Sequence, residues 1–257
     1  FSAGSKVAEE HAKDFVNAGV YVIDLSSRFR YEKDIPLIIP EINGNEINLL
    51  DAPSIISNPN CSTSQLLMAI APIHKEYEID ILNIATYQAV SGTGKQAVQE
   101  LKNQIKDESI NQEVYPKKIA FNVIPHIDIF MDDGFTKEEW KMRVETKKIL
   151  DPNIDLVAHC VRVPVFIGHS ESVFIECKKD IDEKNVRSLL RNANGVTVVD
   201  HRADEGYVTP EEVAGEDDVY ISRIWKDPSV KNGIVFWCVG DNLRKGAALN
   251  TIQIAEI

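Results

Sequence analysis

The opening stretch, Phe1 to Asp24, sets the strongest limit on the fold. Val7, Ala8, His11, Ala12, Phe15 and Val16 fall on one face of a helix, Gly19 ends it, and Val20 to Asp24 follows at once as an apolar strand. A helix that hands directly to a buried strand is the interior of a βαβ series. The front of the chain is therefore expected to be parallel α/β, with an N-terminal piece of the series ahead of it.

Ser54 to Ser57 reads as a second buried strand, and Asn43-Gly44-Asn45 as a turn of hairpin type. Asn58-Pro59-Asn60-Cys61-Ser62-Thr63-Ser64 then gives turn chemistry before an apolar helix through Leu66, Leu67, Ile70 and Ile73. Ile79 to Val90 is an apolar strand, turned by Ser91-Gly92-Thr93-Gly94 into a helix carrying Val98, Leu101 and Ile105. The spacing predicts a short strand over Lys117 to Val123, a loop over Ile124 to Gly134, and a helix over Thr136 to Leu150 that starts with a Thr136/Glu139 capping box. Asp155 to Val165 and Ser172 to Cys177 read as antiparallel strands. A helix at Asp182 to Arg191, strands at Val196 to Asp200, Val219 to Trp225 and Gly233 to Val239, and a terminal helix from Leu243 to Ile257 complete the pattern. The fold class is a partial parallel α/β unit followed by a mixed α+β domain.

The balance of 28 basic against 40 acidic residues, a net charge of −12, disfavours nucleic acid and anionic membrane as partners. An anionic substrate would need cations gathered locally. Four scattered cysteines without CxxC spacing argue against a metal knuckle and for reduced thiols, hence a cytoplasmic setting.

Cys61 is the sharpest chemical feature. It stands where a polar turn meets a helix N-terminus, where the dipole and free N–H groups favour a thiolate and can hold an oxyanion. The competing reading is a buried structural cysteine, which suffices for Cys160, Cys177 and Cys238. His169 leaves an apolar strand at Gly168 and could serve as a general base; by itself a surface histidine is the plainer reading. Gly168-His169-Ser170-Glu171-Ser172 misses the nucleophile elbow at its last position, and the segment around Gly94-Lys95 fails as a P-loop. Arg162 interrupts an apolar strand. Glu138 and Lys141 share one helical face and could reach one ligand together.

Five segments in order resemble the aspartate-semialdehyde dehydrogenase family: Ser57-Asn58-Pro59-Asn60-Cys61-Ser62-Thr63, Tyr87-Gln88-Ala89-Val90-Ser91-Gly92, Glu138-Glu139-Trp140-Lys141, Arg162-Val163-Pro164-Val165 with His169 beyond, and Gly240-Asp241-Asn242-Leu243-Arg244-Lys245-Gly246-Ala247-Ala248. The resemblance implies a partial Rossmann-type NADP-binding domain plus a mixed α+β catalytic and dimerisation domain, glyceraldehyde-phosphate-dehydrogenase-like. Residues 1–58 would belong to the nucleotide-binding domain and 59–239 to the catalytic and dimerisation domain, with 240–257 a helix returning to the first. It implies NADPH-dependent reductive dephosphorylation of L-aspartyl 4-phosphate to aspartate semialdehyde, feeding lysine (through diaminopimelate), methionine, threonine and isoleucine. Cys61 would form an acyl thioester, His169 act as acid/base and Gln88 orient the intermediate. Arg162 and Glu138 would hold the amino-acid end, and Arg30, Asn60 and Lys141 the phosphate. Ser2, Ala3, Gly4, Ser91, Gly92 and Asn242 would contact NADP. A homodimer or homotetramer is expected. The family's glycine-rich dinucleotide turn has no match here. The alternatives are an N-acetyl-glutamyl-phosphate reductase, whose cysteine usually follows glycine, a non-catalytic assembly subunit, and a Cys–His hydrolase needing no nucleotide.

Overall fold

The computed structural model describes every residue from Phe1 to Ile257. The elements, in chain order, are α1 (Ser5–Asn17), β1 (Val22–Asp24), α2 (Pro40–Asn43), β2 (Ile55–Ser57), α3 (Cys61–Tyr77), β3 (Ile79–Gln88), α4 (Lys95–Lys106), α5 (Lys137–Ile149), β4 (Asp155–Arg162), β5 (His169–Cys177), α6 (Glu183–Arg191), β6 (Val196–Val198), α7 (Pro210–Val213), β7 (Val219–Asp227), β8 (Gly233–Gly240) and α8 (Leu249–Glu256). Short 3₁₀ turns at Gly44–Leu49 and Val90–Thr93 and a π turn at Arg244–Ala248 link them.

β1 and β2 pair in parallel, as a βαβ series requires. Ala8 and Ala12 of α1 pack beneath them with Val22, Phe29 and Ile55. The other six strands form one sheet in the order β4-β3-β5-β8-β7-β6. Its inner face buries a 32-residue core against α3, α5 and α6. α3 is buried almost all round because it lies between that sheet and the helices outside it. The opposite sheet face has no helical cover, and Ile81, Val157, Phe174 and Trp225 are exposed on it. No helix is long and apolar enough to cross a membrane.

Three sequence expectations are corrected. Asn43-Gly44-Asn45 makes no hairpin. Pro40 opens a short helix there, and the buried Asn43 side chain takes the Ile39 N–H and donates to the Leu37 carbonyl. Gly44 has φ −57°, helical and far from the positive φ of a hairpin turn. Lys117 to Val123 is not a strand; its Ile119 and Ala120 N–H groups are taken by the Gln104 side chain rather than by a sheet neighbour. β4 and β5 are not neighbours, because β3 lies between them, parallel to β4 and antiparallel to β5. The long helical connection from β3 to β4 is what permits the parallel pairing.

This topology gathers one end of the sheet. Gln88 stands opposite Arg162 in the β3–β4 ladder, and His169 opposite Gly240 in the β5–β8 ladder. Residues that sequence separates widely thus share one edge.

Candidate active site

Cys61 is the first residue of α3. Asn60 caps the helix: its Oδ1 accepts from the Ser62 and Thr63 N–H groups at 2.9 and 3.2 Å. Its Nδ2 donates to Glu138 Oε1 at 2.9 Å. One side chain therefore fixes both the nucleophile's helix terminus and the carboxylate facing it. The half-buried thiol opens on a cleft of about 470 Å³ that Arg30, Asn60, Gln88, Ser91, Gly92, Glu138, Lys141, Arg162 and Asn242 also line.

Glu138 is the hub of the cleft. Gln88 Nε2 donates to its Oε1 at 3.3 Å and Lys141 Nζ to its Oε2 at 3.1 Å, while Lys141 also reaches Asp128 at 2.6 Å. Burial alone would raise the Glu138 carboxyl, but Lys141, the Asn60 amide and Arg162 outweigh it and hold it below the usual carboxylate range. The reverse balance raises Lys141: burial opposes its charge, and Glu138 and Asp128 more than restore it.

The ready thiolate expected at the helix terminus is not what the protein holds. Burial, with Glu138 adding, pushes the Cys61 thiol up to about 12, against the pull of Arg162, Arg30 and the Ser62 N–H. His169 is fully buried and kept neutral well below its ordinary value by that burial and by Arg162. The Ala89 N–H donates to its Nδ1 at 3.0 Å, so the neutral ring carries its proton on Nε2. Nε2 has no partner in the protein. His169 thus offers a donor at Nε2 where sequence suggested a base. Gly92 makes this possible: a Cβ there would stand 3.1 Å from both His169 Nε2 and Arg162 Nη1. Arg162 donates to the Ala89 carbonyl at 2.6 Å.

The cofactor candidates fall into two groups. Asn242 bonds Ser91 Oγ and accepts the Gly168 N–H at 3.0 Å, which ties the β3 and β8 ends to the turn before His169. Ser2, Ala3 and Gly4 stay outside the cleft and are exposed. They precede Ser5, whose hydroxyl meets that of cleft residue Ser27 at 3.4 Å.

Three residues were given no role by the sequence. Glu145 is fully buried and accepts the Asn60 N–H at 2.6 Å and Arg30 Nη1 at 3.2 Å. Seven residues after Glu138, it lies on the same helical face, and that spacing was the available signal. Gln65 on α3 holds the His169 carbonyl at 3.1 Å. Gly246 packs on the nucleophile: a Cβ there would come 2.8 Å from Cys61 Cβ.

Residues 70–245 match the family profile described as semialdehyde dehydrogenase, dimerisation domain, and residues 1–50 match semialdehyde dehydrogenase, NAD binding domain. An aspartate-semialdehyde dehydrogenase of Aquifex aeolicus is 46% identical over 100% of this chain and 77% of its own length. The Vibrio cholerae aspartate semialdehyde dehydrogenase II, solved in complex with ASA, superposes with a TM-score of 0.96 at 44% identity, covering 100% of this chain and 77% of that one. A Candida albicans enzyme solved with NADP gives a TM-score of 0.78 at 25% identity over 98% and 75%. The chain belongs to the aspartate-semialdehyde dehydrogenases, a family of oxidoreductases.

Proposed function

We propose that the protein carries out NADPH-dependent reductive dephosphorylation of L-aspartyl 4-phosphate through an acyl thioester on Cys61. The observation that carries this reading is the convergence of Cys61, Gln88, Glu138, Lys141 and Arg162 on one cleft, with the buried His169 packed behind Gly92 of its wall. The substrate's ammonium group pairs with Glu138, which is held ionised, and its carboxylate with Arg162. Lys141, Arg30 and Asn60 take the phosphate.

Cys61 sulfur bonds to the acyl carbon as the carbon–oxygen bond to phosphate breaks. The thiol proton passes to the departing phosphate, so that the sulfur attacks with thiolate character. His169 Nε2–H donates to the acyl oxygen as negative charge develops there, and Gln88 keeps the acyl group aligned. A nicotinamide held beside Ser91, Gly92 and Asn242 would supply hydride chemistry at the acyl carbon. When the aldehyde departs, Cys61 is released as a thiolate and takes one proton to restore the thiol.

The residues fit such a cofactor. Gly4, at φ +91° with nothing near a built Cβ, precedes α1, whose N-terminus carries no side-chain cap and no acidic residue, as close approach of a pyrophosphate demands. Ser91, Gly92 and Asn242 would meet the nicotinamide end. The Candida relative's NADP supports NADP as the form used.

The division at 1–58, 59–239 and 240–257 belongs to the same reading; it is supported by Ile254 of α8 packing with Ile38 and Ile56 of the front unit. A homodimer through the uncovered sheet face, a cytoplasmic setting with four free thiols, and supply of the lysine, methionine, threonine and isoleucine branches complete it. The test is phosphate-dependent reduction of NADP⁺ by aspartate semialdehyde. Turnover should fall by at least about 10³-fold in Cys61→Ala, and quenching the wild type should trap an acyl group on the Cys61 peptide. Activity retained by Cys61→Ala would refute the mechanism.

A further inference from the structure

Glu138, Lys141, Glu145 and Lys148 follow one another along α5 at helical spacing and form a single stripe. The first two face the cleft. The last two face the segment that carries Arg30. Lys148 Nζ donates to the carbonyls of Arg30, Glu32 and Ile35 at 2.8, 2.7 and 2.7 Å, so it gathers the backbone of that segment around one ammonium.

Glu145 is the more telling member. It is fully buried, and its two oxygens have separate duties. Oε2 accepts the N–H of Asn60, the residue immediately before the nucleophile, at 2.6 Å. Oε1 accepts Arg30 Nη1 and the Tyr31 hydroxyl, each at 3.2 Å. The other end of the guanidinium donates to the Leu25 carbonyl at 2.8 Å. One carboxylate therefore bridges the cleft arginine and the turn that carries Cys61, across 115 residues of sequence on the Arg30 side and 85 on the Asn60 side.

We propose that Glu145 is a positioning residue that holds Arg30 and the Cys61 turn at a fixed separation, so that the phosphate-holding cation and the attacking sulfur act on the same acyl phosphate without Glu145 touching it. This rests on the reading of Arg30 as a phosphate ligand given above. Charge and two acceptor oxygens are both needed. A glutamine at 145 has one oxygen and one NH₂, so it can serve the Asn60 N–H or the Arg30–Tyr31 pair but not both.

The test uses phosphate protection of Cys61 against iodoacetamide in the intact protein, read by mass on the Cys61 peptide, alongside the phosphate KM. Glu145→Gln should weaken protection and raise the KM by about tenfold or more, the size expected for loss of a charged hydrogen bond. Arg30→Lys should do the same, and the double variant should be little worse than the worse single one, because both changes break one unit. Glu145→Asp, which keeps the charge and both oxygens at shorter reach, should fall between wild type and Glu145→Gln; it decides the matter if Glu145→Gln does not fold. Absence of protection in the wild type would overturn the phosphate reading of the cleft. Wild-type protection that is unchanged in the Glu145 variants, or effects of Glu145→Gln and Arg30→Lys that simply add, would overturn the role of Glu145 alone. A lower melting temperature with an unchanged protection constant would mark Glu145 as merely structural.

Discussion

Replacing Glu171 by glutamine should stabilise the fold, by an amount that grows with pH. Glu171 lies on β5 two residues from His169, opposite Thr86 on β3 and Cys238 on β8, with no solvent exposure. Neither of its oxygens meets a donor, and Gln65 Oε1 is a further buried acceptor without one. Burial pushes the carboxyl well above the usual range. The native state thus keeps this proton to higher pH than the unfolded chain, which releases it near pH 4.3, roughly.

The folded value is raised, so stability is fully present below the unfolded value and is lost as pH climbs from there toward the folded one. The loss runs at about 1.4 kcal/mol per pH unit. Glutamine carries no such cost, and its NH₂ is a donor suited to Gln65 Oε1. In a chain of this size each kcal/mol moves the melting temperature by about 2–4 °C. Calorimetry should therefore show Glu171→Gln melting above wild type at pH 7, with the two curves drawing together as pH falls toward about 4.3, the unfolded value. A variant less stable than wild type at pH 7, or a shift that does not change with pH, would show that Glu171 is ionised in the native state and refute the reasoning.

Two further substitutions probe the cleft. Lys141→Ala should raise the phosphate KM by about tenfold or more with a smaller effect on kcat. It should also raise the Glu138 carboxyl, so that substrate binding fails at a higher pH as acid is added; an unchanged phosphate KM would remove Lys141 from the phosphate site. Gly246→Ala places a backbone-anchored Cβ 2.8 Å from Cys61 Cβ, a clash that no rotamer relieves. The kcat and the rate of Cys61 alkylation should both fall, and wild-type values for both would show that the π turn yields freely.

The features that sequence disclosed were those written locally. The Thr136–Glu139 capping box forms as its spacing requires, with the Thr136 N–H on Glu139 Oε2 at 2.7 Å. Asn60 caps α3 directly ahead of Cys61, at the turn the sequence marked. What sequence hid was written at long range. Nothing local says that β4 pairs with β3 in parallel, because that depends on where the chain returns after α5. His169 was legible as a chemical residue. Its tautomer was not, because the Ala89 N–H that sets it comes from 80 residues away.

The cations show the same limit. The family resemblance implied that Arg30, Lys141 and Arg162 would supply the cleft's cations within an acidic protein. Two of the three are already matched, Arg30 by Glu145 and Lys141 by Glu138 and Asp128. Arg162, bonded to a carbonyl, is the cation that depresses His169 and draws on Cys61. On the proposed reading this near-neutral cleft suits a substrate that brings charges of both signs. Its ammonium competes with Lys141 for Glu138, and each step of that exchange frees Lys141 for the phosphate. A simple anion, lacking the ammonium, leaves Lys141 bound to both carboxylates. Phosphate alone should therefore bind more weakly than phosphate in the presence of the amino-acid aldehyde, and Glu138→Gln should erase that difference; equal phosphate affinity with and without the aldehyde in the wild type would exclude the exchange.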